Sequence, residues 1–302
     1  MRSIDEITIT DAALDQMSTT TNPRLKEIME VAVRHLHAFA REASLTPEEW
    51  LAGISFVTAV GQACTPYRQE FILLSDTLGL STLVNCLHDK RSIENGTKTS
   101  LLGPFYRQDA PQFNLGDCIG SDPGGQEIGV YGRITDIAGK PIPHASIQIW
   151  QTDDDGMYDL QKQDPSMMDF RGCFNADAEG GFHIRTVRPL GYLIPLDGPV
   201  GDMIRAQRRH GFRPAHIHFL IGAPGYRELV TALYVNPDSH MDSDVVFGST
   251  ASLVVETRTD DSNSPFPGLP TIHFDFSLAK AAVEDTSGRV GADPAQILAR
   301  SH

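Results

Sequence analysis

After residue 104 the chain breaks into short runs of β-branched and other apolar residues, separated by Gly, Pro, Asp and Asn. Runs of this length between turn residues are typical of β-strands. They lie at residues 128–134, 146–150, 182–187, 216–221, 229–235, 252–256 and 271–276. Because so many short strands follow one another, we expect this part of the chain to form an antiparallel β-sandwich.

The preceding part, residues 22–90, has a helical pattern. Apolar residues recur there at steps of three and four, as the buried stripe of an amphipathic helix requires. The first stripe consists of Leu25, Ile28, Met29, Ala32, Leu36 and Phe39. Thr46 is a candidate N-cap for a second helix, with Glu49 completing a capping box. A third helix is expected to begin after Pro66 and to end near Gly79.

These patterns predict an α+β protein, in which residues 1–103 form a helical region and residues 104–302 form the sandwich. With 302 residues and 40% hydrophobic content, the chain is able to bury a substantial core. The terminal segments 1–20 and 284–302 lack a regular pattern, and we expect them to be loosely ordered.

Charge and composition exclude several classes of protein. The formal net charge of −14 argues against a nucleic-acid partner, which would require a basic face. No run of about 18 apolar residues and no signal-like segment is present, so we expect a cytoplasmic protein without membrane insertion. The four cysteines are scattered without a C-x-x-C pair, which disfavours a zinc ribbon or a disulfide framework.

His216 and His218 stand two positions apart in one of the predicted strands. Side chains at this spacing share one face, with Cα atoms roughly 6.6–6.8 Å apart, so both rings can reach one ion. Tyr158 and Tyr192 add two phenols, which ionise at neutral pH only beside a strongly Lewis-acidic cation. This donor set points to ferric iron, since zinc favours Cys, His and carboxylate. The alternative is that all four are ordinary packing residues.

Four segments of the chain resemble, in order, the intradiol ring-cleaving dioxygenases, the non-haem iron(III) enzymes that open catechols between the two hydroxyls. They are Leu-Gly-Pro-Phe-Tyr at 102–106, the stretch 130–158, Gly-Tyr-Leu-Ile-Pro-Leu-Asp-Gly-Pro at 191–199 and Arg-Pro-Ala-His-Ile-His at 213–218. The resemblance covers residues from around 20 to around 280. It implies an Fe(III) centre with four protein ligands: Tyr158, Tyr192, His216 and His218.

The resemblance also implies a catalytic role for Arg213. Pro214 restricts the backbone of Arg213 to extended conformations, and the fixed cation would stabilise negative charge on a substrate ring. Tyr192 is implied to leave the metal when substrate binds and to accept a proton. Three upstream arginines are assigned to a solvated face: Arg205, Arg208 and Arg209.

Within this family, residues 71–76 and 242–248 resemble the members that cleave hydroxyquinol (1,2,4-trihydroxybenzene). The implied substrate pocket is lined by Leu73, Asp76, Leu101, Leu102, Gly103, Pro104, Ile194, Pro195, Arg213 and Val246. Asp76 would lose hydration there unless it met a donor such as the third hydroxyl. Alternatively, Asp76 ends a helical turn or pairs with an arginine. Ala232 departs from the catechol-cleaving members, which often have Gln at that position.

The expected reaction is cleavage of hydroxyquinol by O2 to 3-hydroxy-cis,cis-muconate, the tautomer of maleylacetate. Cleavage of catechol or chlorocatechol is the nearest alternative. Two other classes remain open, a non-catalytic β-sandwich binding module and a zinc hydrolase that uses the histidine pair. The resemblance further implies a homodimer formed through the helical region, with an apolar tunnel able to hold a phospholipid.

Overall fold

The structure is a computed structural model that describes residues 3–92, 96–121 and 124–281. The chain forms two compact units, one ending at Ala59 and the other beginning at Val60. This division falls inside a helix, and the domain boundary expected after residue 103 stays a prediction. The segment 284–302, expected to be loosely ordered, lies outside the described residues.

The first unit contains α1 (Ile9–Asp15), α2 (Pro23–Glu42) and most of α3 (Pro47–Gln62). Asn22 caps α2, because its side-chain oxygen accepts a hydrogen bond from the Leu25 amide at 3.0 Å. The predicted capping box begins α3. The Thr46 hydroxyl accepts from the Glu49 amide at 3.2 Å, and the Glu49 carboxylate accepts from the Thr46 amide at 2.9 Å.

The expectation that residues 1–20 are loosely ordered is wrong, since α1 lies within them. The guanidinium of Arg41 on α2 donates to the Glu6 carbonyl at 2.8 and 3.0 Å and to the Thr10 hydroxyl at 2.6 Å. Thr10 also bonds His37 at 3.0 Å. These partners lie far apart in the sequence, so a local pattern does not reveal them.

The apolar stripe of α2 is exposed in the single chain. Its large members are 43–63% exposed, and α2 has no buried residue. These members are Leu25, Ile28, Met29, Leu36 and Phe39. The periodicity therefore predicted the helix correctly, and within the single chain its apolar stripe lacks the partner surface that burial requires.

The second unit contains α4 (Glu70–Thr77), α5 (Leu80–Ser92) and α6 (Pro199–Ala206). The third helix predicted from the sequence is α4. Gly79, with a φ of +74°, forms the bend between α4 and α5. No single helix in the described ranges is long and apolar enough to cross a membrane. α4 and α5 together reach that length and hydropathy, but the chain bends by 71° between them.

The strands of the second unit form two larger sheets and one short pair. One sheet contains β1 (Glu127–Asp136), β4 (Gly181–Val187), β10 (Thr271–His273) and β11 (Phe276–Leu278). The other has the order β3 (Arg171–Asn175), β2 (Ser146–Gln151), β7 (His216–Gly222), β8 (Leu229–Asn236) and β9 (Val254–Glu256). The short pair is β5 (Tyr192–Leu193) with β6 (Phe212–Arg213). Every predicted run contains a strand, whereas β3, β5 and β6 were not predicted.

The sandwich is mixed, which corrects the expectation of a purely antiparallel one. β10 and β11 run parallel to β1, and β9 runs parallel to β8. Between β10 and β11 the chain passes so close to Gly132 that a Cβ there would overlap the Phe274 carbonyl. Side chains alternate in the same way in both kinds of sheet, so periodicity predicts a strand without predicting its direction.

The alternation along β7 separates the core from the candidate site. Ile217, Phe219 and Ile221 belong to the hydrophobic core that the two sheets share. His216 and His218 are on the opposite face of the strand and are nevertheless only 2% and 1% exposed. Two polar rings are thus held in a buried place outside the apolar core.

Candidate metal centre

His216 and His218 bring their Nε2 atoms to within 3.1 Å of each other, with the ring planes 82° apart. The Nδ1 atom of His216 lies 2.7 Å from the Pro214 carbonyl oxygen. That bond places the ring proton on Nδ1 and leaves a lone pair on Nε2. His218 stacks on Trp150, with 4.8 Å between ring centroids and 4° between planes. Both rings are therefore fixed with Nε2 directed at a common point.

Tyr158 and Tyr192 join this cluster from two other parts of the chain. Tyr158 precedes a short 3₁₀ turn, and its hydroxyl lies 3.3 Å from Nε2 of His216. The Tyr192 ring centroid lies 5.4 Å from that of Tyr158 and 5.8 Å from that of His216. None of the four side chains is more than 5% exposed. The fold thus brings together all four residues named from the sequence as ligands.

Burial governs the ionisation of these groups. Loss of hydration raises the pKa of the phenols of Tyr158 and Tyr192 above their ordinary value. Burial also lowers the pKa of the His216 and His218 imidazoles well below its usual range, and the charge of Arg213 adds to this. The imidazoles are therefore neutral donors, and the phenols ionise only if a cation compensates. The donor set fits a strongly Lewis-acidic metal ion.

The described parts of the chain contain no group of three or more His, Cys, Asp or Glu side chains that could hold a metal. The His216–His218 pair therefore depends on the two phenol oxygens for further protein ligands. A zinc site built from histidine and carboxylate is not formed around it.

Tyr158 is supported by residues whose roles the sequence did not reveal. Phe105 stacks on its ring, with 4.3 Å between centroids and 17° between planes. Asp159, the next residue, forms a buried ion pair with Arg171, whose Nε lies 2.6 Å from Oδ2. Arg171 also donates to the Phe105 carbonyl at 3.1 Å. Because Arg171 lies on β3, which was not predicted, no sequence signal pointed to this pair.

Arg213 lies beside the cluster and is 2% exposed, as a catalytic cation would be. Its Nη1 atom is 3.1 Å from Nε2 of His216. Nε and Nη2 donate to the carboxylate of Asp244 at 3.2 and 3.3 Å, and Nη2 lies 3.4 Å from the Tyr234 hydroxyl. Asp244 and Tyr234 are buried partners that we did not identify from the sequence, although Asp244 lies in the segment resembling the hydroxyquinol-cleaving members.

Seven of the ten predicted pocket residues line two cavities, and Ile194, Arg213 and Val246 line neither of the two. One, of about 560 Å³, is lined by Asp76, Leu101, Leu102 and Gly103, and the other, of about 230 Å³, by Leu73, Pro104 and Pro195. A Cβ at Gly103 would lie 3.5 Å from the His218 ring, and Phe105 also lines the smaller cavity. Ile194 and Val246 are each 2% exposed.

Asp76 is 3% exposed, near the C-terminal end of α4. Burial raises the pKa of its carboxyl to about 6, although the Ser81 side chain and the charge of Arg213 oppose the shift. A hydrogen-bond donor placed beside a carboxylate in such surroundings stabilises its charged form.

Ala232 lies directly opposite His218 in the β7–β8 register and is fully buried. It packs with Tyr234 and Leu253. Tyr234 lies two residues further along the same face of β8, and its hydroxyl bonds Ser100 at 2.9 Å. The polar contact from β8 to Arg213 is therefore made by Tyr234 and not from position 232.

This fold and this donor set define an intradiol ring-cleaving dioxygenase, a class of non-haem iron enzymes. Residues 101–280 match the family model described as Dioxygenase, and residues 22–96 match that of the Catechol dioxygenase N terminus. The chain belongs to this family.

Individual relatives resemble the chain over most of its length. The chain is 42% identical to the 6-chlorohydroxyquinol 1,2-dioxygenase of Cupriavidus pinatubonensis, over 92% of this chain and 99% of that protein. It is 41% identical to the hydroxyquinol 1,2-dioxygenase of Rhodococcus opacus, over 86% of each chain. The solved structure of hydroxyquinol 1,2-dioxygenase from Pseudomonas putida DLL-E4 superposes with a TM-score of 0.82 at 43% identity, covering 91% of this chain and 99% of the other.

Proposed function

We propose that the enzyme cleaves hydroxyquinol between its adjacent hydroxyls to give 3-hydroxy-cis,cis-muconate. One ring C–C bond breaks and both atoms of O2 enter the product, so no further reductant is needed. The observation that carries this choice of substrate is Asp76, a carboxylate only 3% exposed in the pocket wall. Catechol would offer this carboxylate no donor beyond the two hydroxyls that react, whereas hydroxyquinol has a third. The names of the relatives support the same choice.

Tyr158, Tyr192, His216 and His218 would hold one ferric ion, because two neutral imidazoles and two phenols suit its charge. When bound, this ion supplies the Lewis acidity that lowers the pKa of the substrate hydroxyls and draws electron density from the ring. The two phenolates offset part of the charge of the ion and favour the ferric state.

The residues of the chain have separate tasks in this proposal. Tyr192 accepts one substrate proton at its phenol oxygen, since burial raises the pKa of that phenol. Arg213 directs Nη1 at the cluster and stabilises negative charge on the ring, as a preorganised cation does. Leu101, Leu102 and Gly103, which line the same cavity as Asp76, take the flat ring, and Asp76 accepts the hydrogen bond of the third hydroxyl.

Oxygen uptake with hydroxyquinol, catechol and 4-chlorocatechol, measured side by side, tests this function. We expect hydroxyquinol to have the highest kcat/KM. Faster turnover of catechol at equal subsaturating concentrations would reject the substrate and retain the intradiol chemistry. No oxygen uptake with any of the three, in protein shown to contain iron, would favour the non-catalytic binding module.

We also propose a homodimer formed through the first unit. Besides the stripe of α2, apolar residues on α3 are exposed, among them Trp50, Leu51 and Ile54 at 48–59% exposure. Large exposed apolar surfaces commonly mark sites of association. A second copy would cover it, and an apolar passage between the copies would accept the acyl chains of a phospholipid.

A further inference from the structure

Arg209 does not belong to the solvated face to which the sequence assigned it. It is partly buried in the turn after α6, and its amide bonds the Ile204 carbonyl at 3.1 Å. Its Nη1 atom donates to the Thr77 carbonyl at 2.9 Å, and its Nη2 atom donates to the Val245 carbonyl at 2.7 Å. One planar guanidinium thus joins two segments that lie far apart in the sequence.

Each of the two carbonyls belongs to the immediate neighbour of a residue that the sequence predicts to line the substrate pocket. Thr77 follows Asp76 on α4, and Val245 precedes Val246 in the loop after β8. Asp76 and Val246 are 3% and 2% exposed. A guanidinium fork offers its donors at fixed angles, so two bonds from one fork fix the relative placement of the two backbones better than a single flexible donor does.

The ring of Phe247 fixes the plane of this guanidinium. The Arg209 Cζ atom lies 5.3 Å from the ring centroid of Phe247. The same ring lies over Gly79, where an added Cβ would come within 3.3 Å of it. A separate bond from the Thr82 hydroxyl to the Val246 carbonyl, at 3.2 Å, ties the loop to α5. Loss of Arg209 is therefore expected to loosen the loop against α4 without releasing it.

We infer that Arg209 is a positioning residue for substrate selection. It holds Asp76 and Val246 at the separation that a ring with a third hydroxyl requires. The inference rests on the proposed function, and Arg209 acts only through the Thr77 and Val245 carbonyls.

The test compares Arg209→Met and Arg209→Lys with Arg208→Met, a matched control because Arg208 is the exposed neighbour in the same turn. Methionine keeps much of the length and apolar contact and removes both donors. We expect the ratio of kcat/KM for hydroxyquinol to that for catechol to fall about three- to tenfold in Arg209→Met, the effect of losing one to two hydrogen bonds at a distance from the ring. We expect this decrease to come mainly from a higher KM for hydroxyquinol. The lysine of Arg209→Lys can donate to only one of the two carbonyls at a time, so the hydroxyquinol-to-catechol ratio should fall less than in Arg209→Met.

Equilibrium binding supplies a readout independent of turnover. Without dioxygen, titration of each iron-loaded variant with hydroxyquinol and with catechol gives two Kd values from the change in its visible band. We expect the Kd for hydroxyquinol to rise more than that for catechol in Arg209→Met, with iron content and the band of the free enzyme unchanged. The Arg208→Met control should retain the native ratio of Kd values.

Several results would overturn the inference. A native ratio in Arg209→Met, an equal loss for both substrates, or the same loss in Arg208→Met would each reject it. If Arg209→Met does not fold, Arg209→Lys decides, and a native ratio there rejects the role of the fork. A native enzyme that does not prefer hydroxyquinol would reject the proposed function first and the inference with it.

Discussion

Asp244 holds the guanidinium of Arg213 with both carboxylate oxygens, at 3.2 Å to Nε and 3.3 Å to Nη2. Both side chains are at most 3% exposed. Asp244 also accepts hydrogen bonds from the amides of Val246 and Gly248, at 3.3 and 3.0 Å. With Nε and Nη2 engaged, Nη1 of Arg213 is the donor left to face His216. The direction of this charge is therefore set by Asp244.

The donor set predicts the metal and its colour. The purified protein should contain about one iron per chain and be wine-red, because charge transfer from phenolate to Fe(III) absorbs visible light. Replacing both Tyr158 and Tyr192 by Phe should abolish the band, whereas Tyr131→Phe, on β1 and outside the ligand cluster, should retain it. Iron analysis and a visible spectrum check this. A colourless protein that stays inactive after iron reconstitution would contradict the assignment.

Arg213→Ala should leave most of the iron in place and lower kcat on the order of a hundredfold or more, since one preorganised stabilising contact is worth about 2.7–4 kcal/mol. The same change leaves Asp244 buried without its cation and should reduce the free energy of unfolding by about 3–5 kcal/mol. The double variant Arg213→Ala/Asp244→Asn separates the two effects. Denaturant unfolding should show recovered stability, while kcat stays low. Native turnover in Arg213→Ala would refute the catalytic role.

Asp76→Ala should reduce the preference for hydroxyquinol over catechol. A buried acceptor that loses its donor costs about 1–3 kcal/mol, so the native preference in kcat/KM should be roughly fivefold to a hundredfold or more. Steady-state kinetics with both substrates measure the change. If Asp76→Ala keeps the native ratio, Asp76 does not bind the third hydroxyl.

The raised pKa of Asp76, at about 6, predicts how stability depends on pH. Between its ordinary value of 3.8 and about 6, the folded state binds more protons at this group than the unfolded state, so this group lowers the free energy of unfolding as pH rises through that window. Asp76→Asn should therefore be more stable than the native protein at pH 8, by up to about 3 kcal/mol. The difference should vanish towards pH 4. Urea unfolding at both pH values checks the sign, and a constant difference would contradict the shift.

The exposed apolar face of α2 predicts a dimer at micromolar concentration. Sedimentation equilibrium should give twice the 33.1 kDa mass of the chain. Replacing Leu36 and Phe39 by Glu should yield the monomer, because the two side chains are 63% and 57% exposed on that face. A monomeric native protein would refute the interface. A dimer whose organic extract lacks phospholipid would reject only the tunnel.

Local features of this protein could be predicted from the sequence alone. The alternation of β7 places His216 and His218 on one face, and the capping box of Thr46 and Glu49 begins α3 where predicted. The four ligand candidates were also predicted. The spacing of His216 and His218 indicated the two histidines, and the two phenols were indicated by their unusual chemistry as ligands and by the family resemblance. Such features depend on neighbours a few residues away, which the sequence displays directly.

Contacts between residues far apart in the sequence follow only from the tertiary structure. It alone brings Tyr158 and Tyr192 to the histidine pair, sets Asp244 on Arg213, and uses Arg209 to join the neighbours of Asp76 and Val246. It also decided that β10 and β11 run parallel to β1 and that the stripe of α2 is exposed. Local periodicity fixes which face of an element is apolar, whereas the identity of the surface opposite that face follows from the packing of the whole chain.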